Sequence, residues 1–206
     1  MNKNRLEALS DGVFSIVMTL LVFEITVPVL RATPTNAELL QNLEKLAPLF
    51  ISYFVSFAVL AMFWLSHNFF YGVFTRNINR TLVLLNMLYL SLIALIPFSA
   101  RLIGEFDTLQ VAVLVYGTNV FLIGIVATLV LHYAISSHEI DTSHVSPRLL
   151  VQARIRSFLT PFCTFIGLLF TMVNIHVALF FFAFPVFFNI TPGTLDFAER
   201  ILGLKF

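Results

Sequence analysis

Charge is scarce in this sequence. Asp, Glu, Lys and Arg together make up 11% of its 206 residues, where a soluble domain carries about 25%. A chain of this size cannot coat a water-facing surface with so few. The net charge of +1 provides no basic stripe for phosphates and so no nucleic-acid partner. Cys163 is the single cysteine and lies in an apolar run, which excludes a disulfide scaffold. Also missing are His-Glu-x-x-His, a nucleophile elbow and a phosphate-cradling glycine loop, so the sequence points to no enzyme and no cofactor. His132, His138, His144 and His176 are too scattered for a metal site, and Glu139 and Asp141 read as a solvated loop. What is abundant is apolar: 59% of the residues, 24 of them Phe, with a mean hydropathy of +0.93. The fold class implied is an all-α integral membrane protein, with residues 1–206 forming a single domain.

Six apolar stretches follow one another, each compared with the ~20 residues that a spanning helix needs. They run from about Leu6 to Val29, Leu46 to Phe74, Leu82 to Ile103 (with Pro97 near its end), Leu109 to Ile135, Ile155 to Val173, and Val177 to Ile190. The last is short and crowded with Phe. Lys3 and Arg5 ahead of the apolar Gly12–Phe23 resemble a secretory leader. However, Asp11 and Glu24 bracket that stretch and no small-x-small cleavage site follows, so it reads as a span. An even number of spans puts both termini on one side. That side holds Lys3, Arg5, Arg76, Arg80, Arg148, Arg154, Arg156, Arg200 and Lys205, against Arg31, Lys45 and Arg101 on the other. The bias predicts cytoplasmic termini, with Ser136–Pro147 as the main cytoplasmic loop. The sequons at Asn79 and Asn189 would lie on that same side and read as chance.

Ionisable groups in a span cost several kcal/mol and need a partner or a role. Arg5 and Asp11 stand six apart, a spacing that does not pair them on one helix, so their partners are expected on other helices or subunits. Trp64 and His67 stand three apart and share a face of the second span, where indole and imidazole could meet Asp11 or Ser10. The alternatives are an interfacial Trp anchor and a core histidine. On the first helix Asp11, Ser15 and Thr19 form a narrow polar stripe beside an apolar sector containing Gly12, Ile16, Leu20, Phe23 and Val27. Two readings stay open for this face: ordinary packing, with hydroxyls bonded to the helix backbone, or a water-facing wall narrowed by apolar side chains. Glu24 fits either an acidic ring at an outer mouth or an ion pair with a neighbouring base.

The string Arg5-Leu6-Glu7-Ala8-Leu9-Ser10-Asp11 resembles the Arg-x-x-x-Phe-Ser-Asp signature of the transmembrane-protein-175 family of endosomal and lysosomal potassium channels and their prokaryotic relatives. Trp64-x-x-His67 on the next span fits the same family, as does the length; Leu9 in place of the signature Phe is the visible departure. The resemblance implies one six-helix repeat per chain, a homotetramer in the bilayer of a prokaryotic cell, and a pore lined by the first helix around a four-fold axis. It implies a hydrophobic constriction at Ile16 with further rings at Leu20 and Phe23, and pore hydroxyls at Ser15 and Thr19. Arg5, Ser10, Asp11, Trp64 and His67 would form an interhelical hydrogen-bond network. Symmetry explains the oligomer, since one helix face cannot enclose a path but four copies can.

The activity implied is passive potassium conduction with modest preference over sodium, with monovalent cations as the species handled and permeating K+ as the sole bound ion. The carbonyl-cage string Thr-Val-Gly-Tyr-Gly is absent, Val115-Tyr116-Gly117 being only an echo of it, and no span carries voltage-sensor arginines. The rivals are a proton-coupled transporter relaying through Asp11, Glu24 or His67, and a non-conducting scaffold. Paired broken helices and an internal repeat, the marks of the transporter, are not seen.

Overall fold

The computed structural model describes residues 2–30, 33 and 35–191. Arg31, Arg200 and Lys205, counted above for orientation, lie outside the described residues. All regular structure among the described residues is helical, in eight α-helices.

Helix α1 (Lys3–Leu20) is capped by Asn2, whose side chain accepts from the Asn4 N–H. It tightens into a 3₁₀ turn at Leu21–Glu24 and stops there. The expected extension to Val29 does not form, because Pro28 disfavours helical backbone at the residue before it and Thr26 and Val27 are β-branched. A helix absent from the sequence reading, α2 (Asn36–Glu44), follows, with Thr35 Oγ1 accepting from the Glu38 N–H. The Thr-x-x-Glu spacing was a readable helix-start signal; hydropathy alone passed over it. Helix α3 (Ala47–Phe69) widens into a π-turn at Phe70–Phe74.

The third apolar stretch is broken into α4 (Arg80–Ile93) and α5 (Ile96–Glu105). Pro97 near the α5 start has no N–H for the preceding turn, and the chain breaks there and restarts. Helix α6 (Gln110–Ser136) matches its expected span. Helix α7 (Pro147–Phe170) starts eight residues earlier than its apolar stretch. Ser146 caps it and Pro147 opens it, while Arg148, Gln152 and Arg154 in its first turns kept the hydropathy low. Helix α8 (Ile175–Ile190) is capped by Asn174. Five helical stretches are long and apolar enough to cross a membrane; α8, with 16 residues, is the shorter apolar helix. It rises ~24 Å, under the ~30 Å of a hydrocarbon core.

Small residues let α6, α7 and α8 approach closely, as helices in lipid must when apolar burial drives nothing. The Phe182 ring of α8 fills the space that side chains at Gly117 and Gly167 would need. A Cβ at those positions would lie 2.3 and 2.5 Å from it. Gly124 in α6 faces Pro161 in α7, whose ring an added Cβ would approach to 3.0 Å. That proline removes the N–H that would have satisfied the Ser157 carbonyl, and Thr128 Oγ1 of α6 reaches it at 3.0 Å while lying 2.8 Å from the Gly124 carbonyl of its own helix, so that one hydroxyl proton is shared between the two.

One end of the bundle is laced by its loops. Lys3 Nζ donates to the Thr75 carbonyl at 2.8 Å, and Arg76 reaches Asp141 at 3.4 Å. The Asn77 amide brackets the 137–146 loop between Glu139 and Asp141. Hydrogen bonds from the Ser143 hydroxyl and N–H, with Arg76 beside them, hold the Asp141 carboxyl below the usual aspartate range. Asn79 caps α4 and turns its amide nitrogen to Tyr133 and Glu139.

Thr128→Val keeps the shape but leaves the Ser157 carbonyl without a donor. It should lower stability by about 1 kcal/mol, measurable as a drop in the thermal unfolding midpoint in detergent.

Candidate functional site

Helix α1 has two unlike faces. Leu6, Ser10, Phe14, Val17 and Leu21 step by three and four and are buried against α3, α4 and α5. On the opposite side Ile16 is 60% exposed, Leu20 43% and Phe23 73%. Gly12, Ser15 and Thr19 are exposed on the same side. Ile16, Leu20 and Phe23 thus share one exposed face with Gly12, Ser15 and Thr19 among the described residues.

The hydroxyls on that face are not equivalent. Thr19 Oγ1 lies 2.8 Å from the Ile16 carbonyl and 3.0 Å from that of Ser15, and donates its proton there. Its oxygen lone pairs are therefore left on the exposed side, a donor-free surface that water or a cation can meet. The backbone bond expected of a packed hydroxyl is thus present at Thr19, on a side chain that is exposed in the single chain.

Behind this face, two hydrogen-bonded connections fasten α1 to the bundle. Trp64 Nε1 donates to Asp11 Oδ1 at 3.0 Å, half-buried. The second connection is fully buried and runs through three helices: Ser10 Oγ donates to the Leu6 carbonyl and accepts from Asn86 Nδ2 at 3.1 Å, while Asn86 Oδ1 lies 2.9 Å from His67 Nε2. With the amide oxygen committed to the ring, the proton sits on Nε2 and Nδ1 is left as an acceptor. Phe14 packs against both His67 and Tyr89, at centroid distances of 6.0 and 6.2 Å, and those two rings stack on each other at 5.8 Å.

Trp64 therefore meets Asp11 as its spacing suggested, whereas His67 reaches Ser10 only through Asn86. That asparagine was missed. Its signal was an amide in the otherwise apolar Leu82–Ile103 stretch, where lipid would leave it unsatisfied. Arg5 is exposed on the first turn, and among the described residues it makes no polar contact within the chain. Leu9, at the signature Phe position, is 48% exposed.

At the other end of α1, Glu24 pairs with Arg101 at 3.4 Å, and Arg101 also reaches Glu105. Of the two readings of Glu24, the ion pair is the one present. Among the described residues no three His, Cys, Asp or Glu side chains are grouped as a metal ion would require.

Replacing the amide tests the buried connection. Asn86→Leu keeps the branched shape but leaves the His67 N–H without an acceptor and removes the donor to the Ser10 oxygen. It should cost about 1–3 kcal/mol, read as a lower unfolding midpoint, with a red or blue shift in the fluorescence of Trp64 where α1 has moved.

A family model described as endosomal/lysosomal potassium channel TMEM175 matches residues 5–97. A potassium channel of Chamaesiphon minutus is 35% identical over 102 residues, which are 50% of this chain and 49% of that one. The endosomal/lysosomal proton channel TMEM175 of Gallus gallus is 32% identical over 146 residues, 64% of this chain and 29% of that one. The chain therefore spans about half the length of the first relative and under a third of the second. The crystal structure of a lysosomal potassium-selective channel TMEM175 homolog from Chamaesiphon minutus superposes with a TM-score of 0.78 at 24% identity, covering 91% of this chain and 95% of that one. The match over residues 5–97 takes in both the signature on α1 and the Trp64–His67 pair, and the chain takes the membrane-spanning helical fold of the solved bacterial homolog.

Proposed function

We propose that this chain is the subunit of a potassium-permeable cation channel in which four copies place the open face of α1 around a common axis. The observation that carries the reading is the row Ile16, Leu20 and Phe23, bulky, apolar and exposed, beside the small or hydroxylic Gly12, Ser15 and Thr19. Lipid would accept the apolar side chains but offers the outward lone pairs of Thr19 nothing. An aqueous path uses both, since apolar rings narrow and dewet it while oxygens replace part of an ion's hydration.

In this assembly Ile16 forms the main constriction, Leu20 and Phe23 form secondary rings, and Ser15 and Thr19 meet ions or water. Ser10, Asp11, Trp64 and His67 hold α1 at a fixed rotation from behind, and Arg5, exposed in the single chain, faces a neighbouring subunit. The likeness to a chain named a potassium channel supports the choice of ion. A filter without a carbonyl cage gives modest preference for K+ over Na+.

Six spans are counted with α8 as a short sixth. Lys3 against Thr75 and Arg76 against Asp141 gather basic residues at one end, while Arg101 sits with Glu24 at the other, which supports cytoplasmic termini. The membrane is that of a prokaryotic cell. A proton-coupled carrier is less well supported, because Asp11 and Glu24 already hold fixed donors in Trp64 and Arg101.

Purified protein in liposomes tests this reading: K+ should leave passively down its gradient and faster than Na+, and uphill flux driven by a proton gradient would sink it. Ile16→Asn wets the constriction and should raise K+ flux several-fold; an unchanged rate means Ile16 is not in the path. Thr19→Ala should shift the reversal potential under mixed K+ and Na+ toward the value of a non-selective pore, with Thr19→Ser retaining most of the preference.

A further inference from the structure

Ser10 and Asp11 fasten one end of α1; its other end, at Glu24, lies fourteen residues and ~21 Å further along. There the helix tightens into the 3₁₀ turn Leu21–Glu24, in which Leu21 alone is buried. Val22 is 49% exposed and Phe23 73%. Among the described residues, the single side-chain polar contact tying this turn to the bundle is that of Glu24 with Arg101 of α5, at 3.4 Å.

Arg101 stands on a rigid stretch. The neighbouring Ala100 is buried, and its carbonyl accepts from Ser52 Oγ of α3 at 2.6 Å. Gly104, one turn along, lets α3 approach so closely that a Cβ there would lie 2.8 Å from Leu49 Cδ2 and 3.1 Å from its Cα. The guanidinium is oriented from its own helix as well. Its Nε faces Glu105, four residues on, at 3.4 Å, while Nη1 is the nitrogen turned to Glu24.

Exposed ion pairs add little to folding stability and weaken with salt. The Arg101 side chain is 47% exposed and that of Glu105 51%, so the cluster is poorly suited to holding the fold together. A short terminal turn is a different case. Apolar side chains in lipid do not fix its rotation, and with one side chain buried a contact of modest strength decides where the others point.

We propose that Arg101 is a positioning residue for conduction: held on α5 beside Glu105, it fixes Glu24 and so aims Phe23, the outermost of the three α1 rings, into the path. This role rests on the channel reading, in which Phe23 forms a ring. Arg101 has a competing role, since four cations near an outer mouth repel K+ directly. Phe23 separates the two.

The turn is read first, without conduction, on the full-length protein in liposomes. A nitroxide attached at Val22→Cys, with Cys163→Ala removing the native thiol, reports its motion. Arg101→Gln should increase the label's mobility, Arg101→Lys should retain most of the order, and exchanging the pair (Glu24→Arg with Arg101→Glu) should restore it. Choline chloride at about 0.5 M, where the screening length is ~4 Å, should loosen the label when Arg101 is present and change nothing in Arg101→Gln. Unchanged mobility in Arg101→Gln overturns the proposal without reference to flux.

Conduction is read second. Arg101→Gln should raise K+ flux about two- to five-fold, the factor that a pair of this strength can contribute, and the exchanged pair should bring it back. In Phe23→Ala, Arg101→Gln should raise it no further. An equal rise in Phe23→Ala would assign the effect to charge alone and overturn the positioning role, as would an unchanged flux in Arg101→Gln. If the label responds as expected but the unmodified protein passes no K+, it is the channel reading that fails.

Discussion

A buried amide and an indole N–H hold the first helix to its bundle from one side, and the rest of the structure depends on that one-sided attachment. Asn86 bridges Ser10 and His67 in a buried position, and Trp64 fixes the carboxylate of Asp11, the residue next to Ser10. In lipid, apolar side chains have no preference between a neighbouring helix and an acyl chain, so a helix's rotation about its axis is weakly set by hydrophobicity. Polar groups set it instead, because each wrong rotation strands a donor or an acceptor. The Ser10–Asn86–His67 series therefore decides which face of α1 is turned inward. By doing so it decides that Ile16, Leu20, Phe23, Ser15 and Thr19 are turned out.

The same economy recurs through the bundle. Where Pro161 frees a carbonyl in α7, Thr128 of α6 answers it; where α8 is too short to grip its neighbours by length, Phe182 seats against Gly117 and Gly167. These contacts make α6, α7 and α8 a tight unit, against which α3 and α4 carry the residues that steady α1.

Much of this was legible in the residues. The shortage of charge indicated the environment, the apolar stretches marked the long helices, and the wheel of α1 grouped Ile16, Leu20 and Phe23 on one face without deciding whether that face packs or opens. Asp11 and Ser10 were legible as partners for Trp64 and His67, but not which meets which. What escaped has physical reasons. Asn86 is a single polar residue among apolar ones, and a sequence shows that it needs partners without showing which. Helix α2 and the first turns of α7 are too polar for a hydropathy reading, although Thr35 with Glu38 and Ser146 with Pro147 marked where they begin. The end of α1 at Glu24 and the break between α4 and α5 follow from Pro28 and Pro97, whose effects are local and outrank an apolar run. Glu24 could be read two ways because its partner, Arg101, is 77 residues away.

The most direct measurement is a density map of the assembled protein in a lipid nanodisc, resolved well enough to orient the side chains of α1. The account predicts four copies around one axis, with Ile16 directed at that axis and its ring the narrowest point. A single copy, or an oligomer in which Ile16 faces lipid or is packed inside a subunit contact away from the axis, would contradict it.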